Sequence, residues 1–287
     1  MPRLLYSLAC AAAWVSAVIS VAAAEGPNPA GLSIEWKNNL LTIRGPQLAG
    51  KEITINYLEA YCRPGSTDRE WGQTVIGHKT ELISASPDSK RIELHDKLRD
   101  GVSVKHLITA KSDEIDFQLV AHNPTDTESQ AHWAQPCVRV DKFTGTDVKD
   151  SGKIVPPYAK KCFLFLEGKL VRLPTEPWAD QARYIFGQVY CPKGVDRNDV
   201  NPRPLSKLVP SNGLCGCFSA DESQILAMAW EPYQEIFQGV ITCIHSDFRL
   251  GGLKPGETKK IRGKMYVVGN DVPALVKRYE QDFPEQK

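Results

Sequence analysis

Three stretches of this sequence concentrate side chains that can hold or transform a polar molecule. The first, Tyr57 to Glu81, sets Tyr57, Tyr61 and Trp71 among Arg63, Asp68, Arg69, Glu70, His78 and Glu81. A neutral sugar ring needs an aromatic surface under its C–H side and planar charged or amide groups around its hydroxyls, because each buried hydroxyl must be hydrogen-bonded. The same composition also suits a tryptophan closing the end of a sandwich among solvated charges. The second stretch contains His122, His132, Trp133, Gln135 and Arg139. Histidines on adjacent strands can ligate a metal or move protons, and a lone one can serve as a hydrogen-bonded structural group. The third runs from Trp230 and Glu231 through Glu235 to Cys243-Ile244-His245-Ser246-Asp247. His245 and Asp247 stand two apart, so on a strand they share a face and can orient one another or flank a metal. Glu231 and Glu235 add a pair of carboxylates, the minimum set for glycoside hydrolysis.

Strands must position these groups. From Val102 to Val140 the chain alternates apolar and polar residues in three runs, broken at Lys111 to Glu114 and at Asn123 to Asp126, which reads as antiparallel strands with one buried face. Ile115, Phe117, Leu119 and Ala121 take the core side of the middle run, leaving Asp116, Gln118 and His122 opposite. In the third run Val138 and Val140 mark the core, so Trp133, Gln135 and Arg139 stand on a solvated face. Similar alternation recurs from Ile34 to Val268, including a hairpin turning at Lys37 to Asn39. The expected class is therefore all-β and antiparallel, with one substantial helix at the C-terminus, Asp271 to Phe283, where Leu275, Val276, Tyr279 and Phe283 form a stripe. Two loops, Gly145 to Lys161 and Pro192 to Gly213, are long enough to bind ligand or cover a site.

The first 24 residues read as a secretory signal: Arg3, an apolar run from Leu4 to Ile19, then Ala22-Ala23-Ala24 before Glu25. The alternative is an uncleaved membrane anchor. Residues 25–287 are then expected to form a single secreted or periplasmic β-sandwich domain, with no membrane insertion after processing. Removing Arg3 takes the 35 basic residues to 34, against 34 acidic ones. Such balance excludes the basic footprint of a nucleic-acid binder. Cys137, Cys162 and Cys243 lie in strand-like runs, where a thiol packs as a small hydrophobe. Cys215-Gly216-Cys217 fits neither a CxxC redox pair nor a paired zinc knuckle. The sequence holds no nucleophile elbow, HExxH helix, phosphate loop or dinucleotide fingerprint.

The strand order, the phrase from Asp116 to Asp126 (DFQLVAHNPTD), and Leu253-Lys254-Pro255-Gly256-Glu257-Thr258 before a last long strand resemble the galactose mutarotase-like superfamily over roughly Ile34 to Val268. That resemblance implies a β-supersandwich with a sugar held on a concave sheet face. No catalytic residue of the superfamily is carried over to a position in this chain. The phrases His132 to Cys137 and Cys243 to Asp247 also resemble those of uncharacterised secreted bacterial proteins. The leading expectation is a carbohydrate or glycan binder, acting on its ligand or not, that needs no cofactor. Its ligand contacts are Arg63, Trp71, His78, His122, Trp133, Gln135, Arg139, Trp230 and Glu231. The alternatives are a divalent-metal enzyme using His122, His245 and Asp247, with His132 or His78 in support, or a non-catalytic interaction module of a cell-envelope assembly.

Overall fold

The structure is a computed structural model that describes residues 31–66, 69–146, 155–175, 187–201, 205–239 and 242–286. The expected signal segment and residues 25–30 lie outside the described residues, as do parts of both long loops. In chain order the strands are β1 (Ser33–Lys37), β2 (Leu40–Arg44), β3 (Glu52–Cys62), β4 (Val75–Ile76), β5 (His78–Ala85), β6 (Arg91–Leu98), β7 (Ser103–Ala110), β8 (Glu114–His122) and β9 (Trp133–Arg139). They continue as β10 (Cys162–Leu166), β11 (Lys169–Arg172), β12 (Gly187–Tyr190), β13 (Cys215–Phe218), β14 (Gln224–Glu231), β15 (Tyr233–Gly239), β16 (Cys243–Arg249) and β17 (Thr258–Gly269). One-turn helices α1 (Trp71–Thr74) and α2 (Asp141–Thr144) punctuate them, and α3 (Val272–Asp282) ends the fold.

The strands form two antiparallel sheets. The first has the order β1-β2-β3-β9-β16-β15-β12, with β4 pairing β3, and the second runs β11-β10-β13-β14-β17-β8-β7-β6-β5. Local chemistry explains the hairpins: Asn38 and Asn39 both adopt positive φ, 51° and 62°, between β1 and β2, as the tight turn matched to strand twist requires. In the second sheet, after β8, the Asn123 side chain donates to the carbonyls of Thr127 and Leu253, joining the NPTD turn to the loop before β17. Asp271 caps α3 by accepting from the Ala274 N–H at 3.0 Å.

The main core lies between the sheets, where Ile55, Tyr57, Tyr61, Ala134, Val138, Ile244 and Phe248 of the first meet Phe117, Leu119, Met228, Ile261 and Met265 of the second. Leu275, Tyr279 and Phe283 of the C-terminal segment cover Phe163, Ala227 and Tyr266 on the outer side of the second sheet. Gly216 belongs to this covered side: a methyl group there would overlap the Leu226 carbonyl, which is why a glycine separates Cys215 from Cys217.

Candidate functional site

The expected solvated face of β9 is covered. Val138 and Ala134 point into the inter-sheet core, as the alternation requires, and Trp133, Gln135 and Arg139 fall on the opposite side of the strand. Yet Trp133 is 0% and Gln135 4% exposed, and only Arg139 is half-buried. Two segments cover this outer face. Trp71 of α1 lies against Trp133 with ring centroids 6.4 Å apart, and Val195 and Val200 of the loop after β12 pack on Val189, Cys191 and Phe237. Ser66 ties the two covers together by donating to the Val200 carbonyl at 2.6 Å.

Register lays the polar side chains of this face out in rows. Ala60 of β3 pairs with Gln135, Glu235 of β15 with Asp247, and the β9–β16 register that sets Phe248 opposite Ala134 brings Asp247 beside Gln135. Both flanking strands are irregular at this level. The β3 register shifts between Asn56 and Ala60, and the β15 register between Tyr233 and Glu235. Such bulges re-aim side chains. Glu59 thereby accepts from Gln135 Nε2 at 2.6 Å, and the extra residue Gln234 reaches the covering loop, donating to the Asp199 carbonyl. The loop completes the row: Asn201 Nδ2 donates to Gln135 Oε1 at 3.0 Å and its backbone N–H to Glu235 Oε2 at 2.9 Å. A second link joins the Asp199 carboxylate to His132 Nδ1 at 3.1 Å and to Arg249 Nη1 at 3.3 Å.

One row further along, Cys137, Cys243 and His245 bring a ligand atom each within 4.8 Å of one another. Cys243 Sγ is 3.3 Å from His245 Nε2, and His245 Nδ1 is 3.7 Å from Asp247 Oδ1. Phe237 fixes the imidazole by stacking on it at 3.9 Å. Burial opposes a charged imidazole, but the attractions of Cys243 and of the Asp247 carboxylate near Nδ1 outweigh it and lift His245 to about 10. The neighbouring Cys137 thiol holds Cys243 well below its ordinary range against burial, and the same neighbour, with burial, pushes Cys137 up. The two cysteines expected to act as small hydrophobes therefore belong to the polar layer.

Several residues expected at one site are dispersed. His122 ends β8 in the second sheet, where its Nδ1 lies 2.9 Å from Thr258 Oγ1; β8 and β16 are not neighbours, so the triplet His122, His245 and Asp247 does not assemble. Trp230 belongs to the inter-sheet core, with ring centroids 5.2 Å from Phe117 and 4.8 Å from Phe248, because its parity on β14 turns it inward. Glu231 accepts from Gln286 at the end of β14, in a different sheet from Glu235, so those two carboxylates are not a pair. Arg63 donates to the carbonyls of Gln73 and Val75 and holds the segment around α1 in place. His78 packs edge-on against Tyr61 at 5.1 Å beside the second sheet's edge, its pKa lowered by burial. Trp71, Trp133, Gln135 and Arg139 share the outer face of the first sheet with His245 and Asp247. Sequence reasoning missed Glu59, Asp199 and Asn201 there. Glu59 carried a signal, as a lone charge inside the apolar run from Tyr57 to Cys62. The loop residues carried none.

No family model matches the chain, and no curated protein matches it. Solved structures similar to it are galactose mutarotase-like and aldose 1-epimerase proteins. A putative aldose 1-epimerase from Escherichia coli is 11% identical, with a TM-score of 0.42 over 83% of this chain and 99% of that one. A galactose mutarotase related enzyme from Lactobacillus acidophilus is 9% identical, with a TM-score of 0.43 over 82% and 97% of the two chains. A galactose mutarotase-like protein from Lactobacillus casei is 8% identical, with a TM-score of 0.38 over 83% and 100%.

Proposed function

We propose that this chain is an exported carbohydrate-binding or carbohydrate-active protein whose ligand lies on the outer face of the first sheet, along the row Glu59, Gln135, Asp247 and Glu235. One observation carries the reading: a row of amide and carboxylate groups fed from four strands, buried but for the half-buried Glu59, is engaged by an amide of the covering loop rather than by apolar packing. Gln135 and Glu235 accept from Asn201 at positions where sugar hydroxyls can donate instead. Trp133 and Trp71 supply ring faces on one side of the row, one step along β9 from Gln135. Arg139, two rows along β9 on the other side, suits a uronate carboxylate, since a guanidinium fork matches its two oxygens. Entry requires the loop 191–201 to lift, and covering loops are drawn from the less stable parts of a fold.

Glu235 and Asp247 are the groups through which this protein acts on a bound glycan. Residues directly opposite on antiparallel strands have β-carbons about 4.5–5.5 Å apart, which brings two carboxyl groups within the separation used for attack on a glycosidic bond. Export rests on the first 24 residues, and the mass of the protein recovered from the periplasm or medium tests it. A glycan-array screen of the purified protein, with and without chelator, tests the ligand class: retention of a defined glycan, weakened by Arg139→Ala and Glu235→Gln, supports it, and an array without retained glycan counts against it.

A further inference from the structure

We propose that Cys137, Cys243 and His245 form a buried zinc site, with Asp247 as the group that orients the imidazole. The donors come from two adjacent strands. The register that sets Cys243 opposite Arg139 and Ile244 opposite Val138 brings His245 opposite Cys137, so the three side chains project together from one face. All three are buried, and their ligand atoms lie within 4.8 Å of one another. Zinc bonds of about 2.3 Å to sulfur and about 2.0–2.1 Å to nitrogen put two tetrahedral ligands about 3.6 Å apart for a sulfur–nitrogen pair and about 3.8 Å apart for two sulfurs. The observed 3.3 Å from Cys243 Sγ to His245 Nε2 needs only a few tenths of an ångström of adjustment.

The two imidazole nitrogens are divided as a ligand histidine requires. Nε2 faces the thiols, and Nδ1 faces the Asp247 carboxylate at 3.7 Å. A carboxylate behind the imidazole fixes ring orientation and raises ligand basicity, an arrangement that accompanies metal-bound histidines. Two thiolates and one imidazole are soft to borderline donors, which favour zinc over calcium, magnesium or manganese. Binding forms two Zn–S bonds and one Zn–N bond and releases two protons, one from the Cys137 thiol and one shared between Cys243 Sγ and His245 Nε2. The charge of the ion then balances that of the thiolates, which suits a buried layer. Three protein ligands leave the fourth position of a tetrahedral ion to water or to a ligand oxygen. The proposal stands independently of the carbohydrate reading, because its test uses the metal alone.

The full chain, purified without chelator, is analysed for metal by mass spectrometry. It is then stripped, reloaded with zinc or cobalt, and followed by absorption and by thermal unfolding. The expected results are one zinc per chain, a thiolate-to-cobalt charge-transfer band with tetrahedral visible bands, and a midpoint that rises with zinc. Cys137→Ser, Cys243→Ser and His245→Ala should lose the metal, whereas Cys162→Ser, at a buried thiol elsewhere, should keep it. Asp247→Asn should bind zinc about 10–100-fold more weakly. Should the cysteine variants fail to fold, the cobalt spectrum of the unaltered protein and the Asp247→Asn affinity decide. The proposal is overturned by a chain that takes up no zinc or cobalt, by a Cys137–Cys243 disulfide seen as a protein two hydrogens lighter than the reduced chain, or by metal retained equally in Cys137→Ser and Cys243→Ser.

Discussion

Replacing Gln135 by leucine removes one of the residues that join the first sheet to its covering loop. The change deletes the bond from Nε2 to the Glu59 carboxylate at 2.6 Å and the bond from Asn201 Nδ2 to Oε1 at 3.0 Å, while leaving a side chain of similar volume. A hydrogen bond to a charged group contributes about 1.5–3 kcal/mol and a neutral one about 0.5–1.5 kcal/mol, so the loss is about 2–4 kcal/mol before the small gain from burying leucine. For a chain of this size 1 kcal/mol moves the thermal midpoint by about 2–4 °C, which gives a drop of roughly 5–15 °C. Calorimetry measures the midpoint, and limited proteolysis reports whether the loop 191–201 becomes cleavable. Arg139→Ala, half-buried on the same face, is expected to change stability by less than about 1 kcal/mol. A Gln135→Leu midpoint within a degree of the unaltered protein, with the loop still resistant, would refute the idea that this row holds the cover down.

Three further outcomes follow from other parts of the fold. Burial opposes ionisation of Asp96, but the attraction of His106 and hydrogen bonds with His106 and Tyr61 outweigh it and bring its pKa from 3.8 to about 2. The depressed folded value means that its contribution, about 2 kcal/mol, is complete above pH 3.8 and lost as pH falls towards 2; urea midpoints across that range should decline, and less so in Asp96→Asn. Trp230→Ala should cost about 3–5 kcal/mol by emptying the inter-sheet core, measured by urea unfolding, while a glycan affinity at the first sheet's outer face stays within a few-fold in the folded fraction. Asp271→Ala should cost about 1 kcal/mol through the lost cap of α3, read from the same unfolding assay.

Strand parity was legible in the sequence wherever one face was strictly apolar. Phe117 and Leu119 point inward from β8, and Trp133, Gln135 and Arg139 point away from Val138, as the alternation of period two requires. The C-terminal helix was equally readable, because Asp271, Pro273 and the stripe from Leu275 to Phe283 act within a few residues of one another. What alternation could not supply was which strands become neighbours. His122 and His245 have the parity of partners but sit in different sheets, and Trp230 has the composition of a ligand platform but the parity of core. Nor does a period-two pattern reveal that a face is covered, since Asn201 and Val200 reach it from a loop more than sixty residues after β9. Cys137 and Cys243 carried the right parity to join Gln135 and His245, and a reading of cysteine as a small hydrophobe hid that.

Titration of the purified protein with the glycan that an array selects, set beside the same titration of Glu235→Gln, tests the central claim most directly. Glu235 is fully buried, accepts from the Asn201 N–H at 2.9 Å and stands opposite Asp247, so it contacts ligand only if the covered face of the first sheet is the site. The account predicts saturable binding that falls at least tenfold in Glu235→Gln, with the variant's fold intact by far-ultraviolet circular dichroism. Binding of equal affinity in both proteins would put the ligand elsewhere on the molecule and contradict it.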